Sequence, residues 1–515
     1  MRFADEVHST LKSHLKYIGF AVLTGICVYF SLMSNNLVNN LDGIWHSSNF
    51  IAGNWEISLG RGLQRYADRA RFGLVTSAWN SIIVFILIGT ADSLIIARFR
   101  LRDTLFSYLL VFATISNPIV CESLSYCYMS VNFGLAYFFS VLSFMLISGN
   151  AETKKKILFT CLLSSLAFGI SMAFYQAYIC VYAVLCIYLI LVILKKEKAL
   201  LKAAQKSILC IVIFMGGGIV YYTITQLLLW RAGTEMAAYR GANNIGIIEI
   251  IKNIPMGIIT AYKESWNYFW VDRLNAKMEF SNIVIILTYV TIVIFTIMSL
   301  YDLFKTSKKH MAFSAAIVIF LPVAASVICV VAVGNLISGL MAMGILMSVL
   351  MFYTFVDDRK CMKLIMNCVL IIISWYLVSA VINDQIALKE GIKATERITE
   401  DILTQAASSG LLENVDSVAF IGRAAENPLF YKSTAYEMAN EYAQFGRWST
   451  DARNNRVTWN GITEIFCGIS LPFCGDDTYL NIIQSNRIKD MPIYPQNGYM
   501  AIIDNVLVVK ISDLY

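Results

Sequence analysis

Charge is scarce in this chain: 15% of its 515 residues are Asp, Glu, Lys or Arg, against about 25% in soluble domains. Hydrophobic residues make up 57%, and the mean hydropathy is +0.62. A soluble domain of this length cannot bury so much apolar side chain, so the composition excludes that class. A nucleotide-binding loop, zinc-ligand spacing, a nucleophile elbow, an internal repeat and a low-complexity linker are also missing, which leaves nucleotide, zinc and serine chemistry without a motif. No nucleic-acid partner is expected.

What is there is a series of eleven apolar runs of about spanning length, at 17–34, 76–97, 104–120, 132–149, 157–174, 178–194, 207–229, 281–302, 311–333, 340–356 and 364–382. The first lacks a small-residue cleavage site and reads as a retained anchor rather than a signal peptide. With the N-terminus inside, the inner segments 1–16, 98–103, 150–156, 195–206, 303–310 and 357–363 hold 20 of the 41 Lys and Arg. Short inner segments dense in positive charge obey the positive-inside rule. The expected fold is a polytopic α-helical membrane protein of about eleven transmembrane helices. Residues 1–382 form the membrane module, and an odd span count puts 383–515 outside.

The long non-apolar segments are loop 35–75, loop 230–280 and the tail, all expected on the outer face, so the chemistry is expected there too. The tail reads as a small α/β domain. It has a strand at 415–422, helices at 434–445 and 459–469, and a hairpin about Asp504-Asn505 within 499–512. Most of the twelve cysteines lie in spans. Cys467 with Cys474, and Cys121 with Cys127, stand close enough in sequence for a disulfide or for two free thiols, and both readings stay open.

Loop 35–75 opens with NNLDGIWHSSNFIAGNWEISLGRGL. Asp42, a few residues past the first span, sits at a depth where partial desolvation raises a carboxyl pKa and suits a general base. Glu56 and Glu122 are the other candidate acids. If the following stretch is one interfacial helix, Trp45, Ala52, Trp55 and Leu59 share its apolar side, and Arg61, Arg65 and Arg69 align on another. Guanidinium forks match phosphate oxygens, so that row is a candidate clamp for a lipid phosphate. Plainer readings stand beside these: an aromatic belt for the tryptophans, headgroup contact for the arginines, a helix cap for Asp42. In the second loop, YRGANN (239–244) and AYKESWNYFWVDR (261–273) set Lys263, Glu264, Asp272 and Arg273 among Trp266, Tyr268, Phe269 and Trp270. Aromatic faces beside charges suit sugar rings and hydroxyls. Tyr126, in NPIVCESLSYCYMS (117–130), is a further candidate for the same cavity.

An Asp soon after the first span, then Gly53, Trp55, Gly60 and Arg61 in a Gly–x–Trp–x–x–x–x–Gly–Arg pattern, resembles the Gtr family of serotype-converting glucosyltransferases in the GT-C class. SNPIVCESLSYCYMS and the closing MPIYPQNGYMAIIDNVLVVKIS extend the resemblance along the whole chain. It implies a GT-C-like module in the bacterial cytoplasmic membrane with its active site facing outside. It also implies a polyprenyl-phosphate-linked glucosyl or related hexosyl donor and an envelope polysaccharide acceptor such as O antigen. Proteins that make and flip the donor are implied as partners. Asp42 would be the base of an inverting displacement and Arg61 the phosphate partner, with Arg65 and Arg69 added by helix spacing. Where relatives carry an acidic pair, this chain has Leu41-Asp42, and where they carry a further acid it has Met129. No clear metal site is visible and no cofactor is expected. A lipid-phosphate donor needs no nucleotide site, and cationic side chains can neutralise its leaving phosphate.

Two alternatives remain at this stage. A transporter or flippase of lipid-linked sugars expects ionisable residues along the spans or broken helices in matching halves; the spans carry little charge beyond Asp92 and Asp302, both near inner ends. A polysaccharide polymerase shares the topology and the large outer loop.

Overall fold

The computed structural model describes the chain except residues 1, 41, 47–48, 103, 149–152, 240–246, 269–280, 333–338, 357–358, 450 and 514–515. Phe269, Trp270, Asp272, Arg273 and most of YRGANN therefore lie outside the described residues. The elements in chain order begin with α1 (Arg2–Val28), α2 (Phe30–Ser34), α3 (Asp42–Trp45), α4 (Asn54–Ser58), α5 (Gln64–Ala70) and α6 (Ser77–Arg98). They continue with α7 (Leu105–Ile115), α8 (Pro118–Ser125), α9 (Ser130–Ser148), α10 (Lys154–Phe174), α11 (Ile179–Val192), α12 (Leu200–Ala232) and α13 (Ile247–Asn267). Next come α14 (Ser281–Thr306), α15 (Lys308–Ile319), α16 (Leu321–Ala325), α17 (Ile328–Val331), α18 (Met343–Leu350) and the 49-residue α19 (Lys360–Ser408). The tail holds β1 (Ser417–Ile421), α20 (Thr434–Met438), α21 (Ala452–Ile465), α22 (Asp476–Gln484), α23 (Asn486–Asp490), β2 (Met500–Ile503) and β3 (Val506–Lys510).

Among the described residues, 9 helices are long and apolar enough to cross a membrane. The other two of the eleven expected runs give shorter apolar helices, His14–Val28 and Met343–Thr354. Both are interrupted. The helix breaks at Tyr29 between α1 and α2, and α18 is flanked by 3-10 turns at Gly339–Met341 and Met351–Thr354. The Gln385 amide of α19 satisfies the first break, accepting from Leu32 N (3.0 Å) and donating to Val28 O (2.8 Å). Backbone groups freed inside a membrane protein must find such partners.

A second break separates α7 from α8. Asn117 caps α8 by accepting from Ile119 N (3.0 Å) and Val120 N (3.1 Å), with Pro118 at the first helical position. Tyr29 Oη donates to Ile115 O (2.8 Å) and Asn117 O (3.1 Å) across the same break. Asp92 is fully buried in α6, where Tyr137 Oη donates to its Oδ1 (2.7 Å) and Thr114 Oγ1 to its Oδ2. That carboxyl is thus part of a closed polar knot among α6, α7 and α9.

The strand order β1-β3-β2 makes a three-stranded sheet, with β1 parallel to β3 and β2 antiparallel to it. Asp504 and Asn505 carry φ of 51° and 63°, the conformation that a two-residue hairpin with two left-handed residues demands. Alternation then sorts the strands. Ala419, Ile421, Val506 and Val508 pack with Tyr479, Ile482 and Ile488 of α22–α23. Val418, Phe420, Leu507 and Val509 join a core continuous with the transmembrane helices. The expected helix at 434–445 is shorter, stopping at Met438. The next one starts earlier, because Asp451 caps α21 by accepting from Asn454 N (3.0 Å). The boundary expected after residue 382 falls inside unbroken α19. All twelve cysteines are free thiols.

Candidate active site

Residues 45–69 do not form one interfacial helix. The described residues of 42–70 hold three short ones instead, α3 to α5. The cause is tertiary. Gly60 has φ +75°, and a Cβ there would lie 2.1 Å from Tyr221 Oη; a Cβ on Gly62 would lie 2.5 Å from Leu228 Cδ1. The Gly-Arg-Gly turn is therefore pressed against α12 where no side chain fits. Gln176 Nε2 donates to Leu59 O (2.8 Å) and to Tyr221 Oη (2.9 Å), locking the turn from a third side.

Arg61 emerges from this turn with its guanidinium carbon 4.7 Å from the ring centre of Tyr175, a cation–π seat. Its Nε is buried with no hydrogen-bond partner among the described residues. Glu56, buried, accepts from Gly53 N (2.6 Å), which starts α4. Asp42 opens α3, and Asn39 Oδ1 accepts from Gly43 N (2.8 Å) to cap that turn.

Burial raises the Asp42 carboxyl above the ordinary carboxylate range; Arg61 opposes the rise and Glu56 adds to it. Both side chains thus lie within electrostatic reach of Asp42. Burial also raises the Tyr126 and Tyr128 phenols, with Glu122 and Asp42 adding to Tyr126 and Asp42 to Tyr128. Burial depresses the His46 imidazole to about 4, and its ring packs on Phe50 (4.4 Å) and Tyr128 (4.6 Å). The resulting site has a poised carboxyl, one partly unpaired guanidinium and an aromatic wall.

The other candidates distribute differently. Arg65 is occupied, its Nε donating to Ala52 O (2.8 Å) and its Nη2 to Asn54 Oδ1 (3.0 Å). Arg69 is exposed on α5. The three-arginine row is thereby corrected: Arg61 precedes α5 in a turn, so helical spacing does not relate it to the other two. The shared apolar side of Trp45, Ala52, Trp55 and Leu59 fails for the same reason. Trp45 Nε1 donates to Thr458 Oγ1 of α21 (3.4 Å), whereas Trp55 is exposed and meets Tyr239 edge-on (5.9 Å). Glu122 is buried in α8 beside a cavity of about 10 Å³, shared with Tyr268, Asn440 and Tyr442. Lys263, Glu264 and Trp266 ride on α13, which packs against α16 and α17. Lys263 is exposed, Glu264 buried, and Trp266 exposed beside Tyr289 (5.9 Å).

Sequence reasoning missed Tyr128, Tyr175, Gln176 and Tyr221. Two signals were present. Glycines on both sides of Arg61 mark a close approach, and Tyr175-Gln176 interrupts two apolar runs. It also missed the buried pair Asp68–Arg71 (2.5 Å), which braces loop 35–75. Asp68 Oδ2 accepts from Ala52 N (3.0 Å), and Arg71 Nη2 donates to Tyr128 O (2.9 Å). Among the described residues, no group of three or more His, Cys, Asp or Glu is arranged to hold a metal ion.

The series of helices long and apolar enough to cross a membrane defines a multi-span membrane protein. The family model of glucosyl transferase GtrII matches residues 30–337, and the chain belongs to that family. Membership indicates glucosyl transfer, with a sugar donor and a polysaccharide acceptor. Neither a curated protein nor a solved structure matches the chain.

Proposed function

We propose that this protein transfers a glucosyl group from a polyprenyl-phosphate-linked donor to an envelope polysaccharide at the outer face of the bacterial cytoplasmic membrane. Asp42 is the general base. Its carboxylate takes the proton of an acceptor hydroxyl, whose oxygen forms the new bond to the anomeric carbon. The bond from that carbon to the phosphate oxygen breaks with inversion, and polyprenyl phosphate leaves with the electron pair. Arg61 pairs with the charge that develops on the departing phosphate, acting where low dielectric strengthens it. With that cation in place, the reading requires no divalent metal.

The observation that supports this reading is the half-buried Asp42 within electrostatic reach of Arg61, whose guanidinium lies over Tyr175 and whose Nε has no hydrogen-bond partner among the described residues. A carboxyl raised by burial is a stronger base than a solvated one, and the neighbouring guanidinium opposes the rise. Glu56 supports the site by fixing α4 through Gly53. The tests use purified protein, radiolabelled polyprenyl-phosphate-glucose and an envelope polysaccharide acceptor, with and without EDTA. Transfer lost in Asp42→Asn, at intact folding and donor binding, supports the base. Transfer that survives moves the base to Glu56 or Glu122. No transfer by the unmodified protein overturns the donor assignment.

A further inference from the structure

α3 spans four residues, one turn, too short to hold its own shape without outside support. Its support comes from two sides. From the membrane bundle, Asn39 N donates to Ser125 O (3.3 Å). From the tail, the Asn40 amide makes a two-point contact with the strap 440–446, donating from Nδ2 to Gln444 O (2.9 Å) and accepting at Oδ1 from Gly446 N (2.8 Å). The next tail contact is steric. Ile44 is fully buried, and a Cβ on Gly461 of α21 would stand 2.5 Å from Ile44 Cγ2. Trp45 adds its bond to Thr458.

The strap is itself anchored. Asp384 of α19 accepts from Asn440 N (2.9 Å), Asn440 Nδ2 (2.8 Å) and Tyr442 Oη (2.5 Å). A Cβ on Gly391, about two turns further along α19, would lie 2.7 Å from Phe445 O. Contacts therefore run from α19 through 440–446 to Asn40, and from α21 to Ile44 and Trp45, so that the tail holds the chain on both sides of Asp42.

We propose that the tail is a working part of the transfer site: Asn40, Ile44 and Gly461 are positioning residues that set where the Asp42 carboxylate stands. This rests on the reading of Asp42 as the base. The tail would then govern turnover and not only recognise acceptor, since a displacement of about 1 Å at a reacting group costs up to roughly 10²-fold in rate.

The experiment uses the full-length protein carrying Gly461→Ala, Ile44→Ala, both together, or Asn40→Ala. Gly461→Ala is expected to lower kcat roughly tenfold while donor KM stays within about twofold. Ile44→Ala alone, which empties that contact, should also lower kcat, and the double variant should regain part of the Gly461→Ala loss, because Ile44→Ala removes the methyl that the new Cβ strikes. Asn40→Ala should lower kcat likewise and move the acid limb of kcat/KM to lower pH. Among the groups facing Asp42, Arg61, Glu56, Tyr126 and Tyr128 are unchanged by the variant, so that shift reports the loss of burial. A readout independent of activity is maleimide labelling of Asp42→Cys, followed by peptide mass spectrometry, which Gly461→Ala should speed several-fold. Wild-type kcat in both Gly461→Ala and Asn40→Ala, or a labelling rate that neither changes, overturns the proposal. So does a kcat loss that Ile44→Ala fails to restore and that tracks loss of folded protein. If the unmodified protein transfers nothing, or Asp42→Asn retains transfer, the functional reading falls, and the labelling rates still decide whether the tail positions α3.

Discussion

Loop 35–75 and α13 sit in long polar intervals between spans and stabilise themselves by opposite means. The loop has little regular structure and depends on buried polar pairs: Asp68 with Arg71, Glu56 with Gly53, Asn39 with Gly43. Each such group is costly to bury and so has only one satisfactory geometry. α13 is a long helix with one packed side. Gly257 lies against Val330, while Ile248, Ile251, Met256, Ile259, Tyr262 and Trp266 stay exposed. An apolar side that broad suits lipid contact, where packing tolerates sliding. Positional exactness, which catalysis needs, comes from the first arrangement rather than the second.

The largest expected effect comes from Arg61. Arg61→Ala should lower kcat about 10²- to 10³-fold, and Arg61→Lys should recover part of it because a point charge replaces the fork; comparable activity in Arg61→Ala would remove the loop's claim to the chemistry. Asp68→Ala leaves the Arg71 guanidinium buried without its carboxylate and should destabilise the fold by roughly 3 kcal/mol, read as a lower thermal unfolding midpoint. A pH profile gives a smaller but signed effect. In the proposed role Asp42 acts deprotonated, and burial raises its carboxyl above the ordinary range. The acid limb of kcat/KM should therefore lie above about pH 4, where a solvated aspartate titrates, with activity rising as pH increases through it. The smallest effect belongs to α13: Lys263→Ala should stay within about twofold of wild type in kcat/KM, a change near 0.4 kcal/mol. A loss there to match Arg61→Ala would erase the contrast between the two regions.

The helices were readable because an apolar run of spanning length has few other uses, and the hairpin because Asp504-Asn505 flanked by apolar alternation has one good conformation. The candidate site was proposed from Asp42, Glu56 and Gly60-Arg61 in one short stretch, and the structure keeps Glu56 and Arg61 within electrostatic reach of Asp42. Its internal geometry was not readable. Tyr175, Gln176 and Tyr221, which break the stretch into turns, stand more than a hundred residues away in sequence, and local periodicity carries no trace of them. That is why the i, i+4 spacing of Arg61, Arg65 and Arg69 looked like a helical face although Arg61 is not helical. The tail's hold on α3 was equally hidden, since an amide such as Asn40 announces no partner.

α19 has one more consequence. Its 49 residues make a rod of roughly 70 Å at 1.5 Å per residue, more than twice the ~30 Å of bilayer hydrocarbon. The tail is therefore joined by a torsionally stiff shaft rather than a hinge. One residue inserted near Ile392 would turn the rest of α19 by about 100° against the strap that Asp384 holds, and four would restore the azimuth to within half a residue's rotation. Activity plotted against insertion length should oscillate with the helical repeat, the signature of a machine whose parts are clocked rather than tethered.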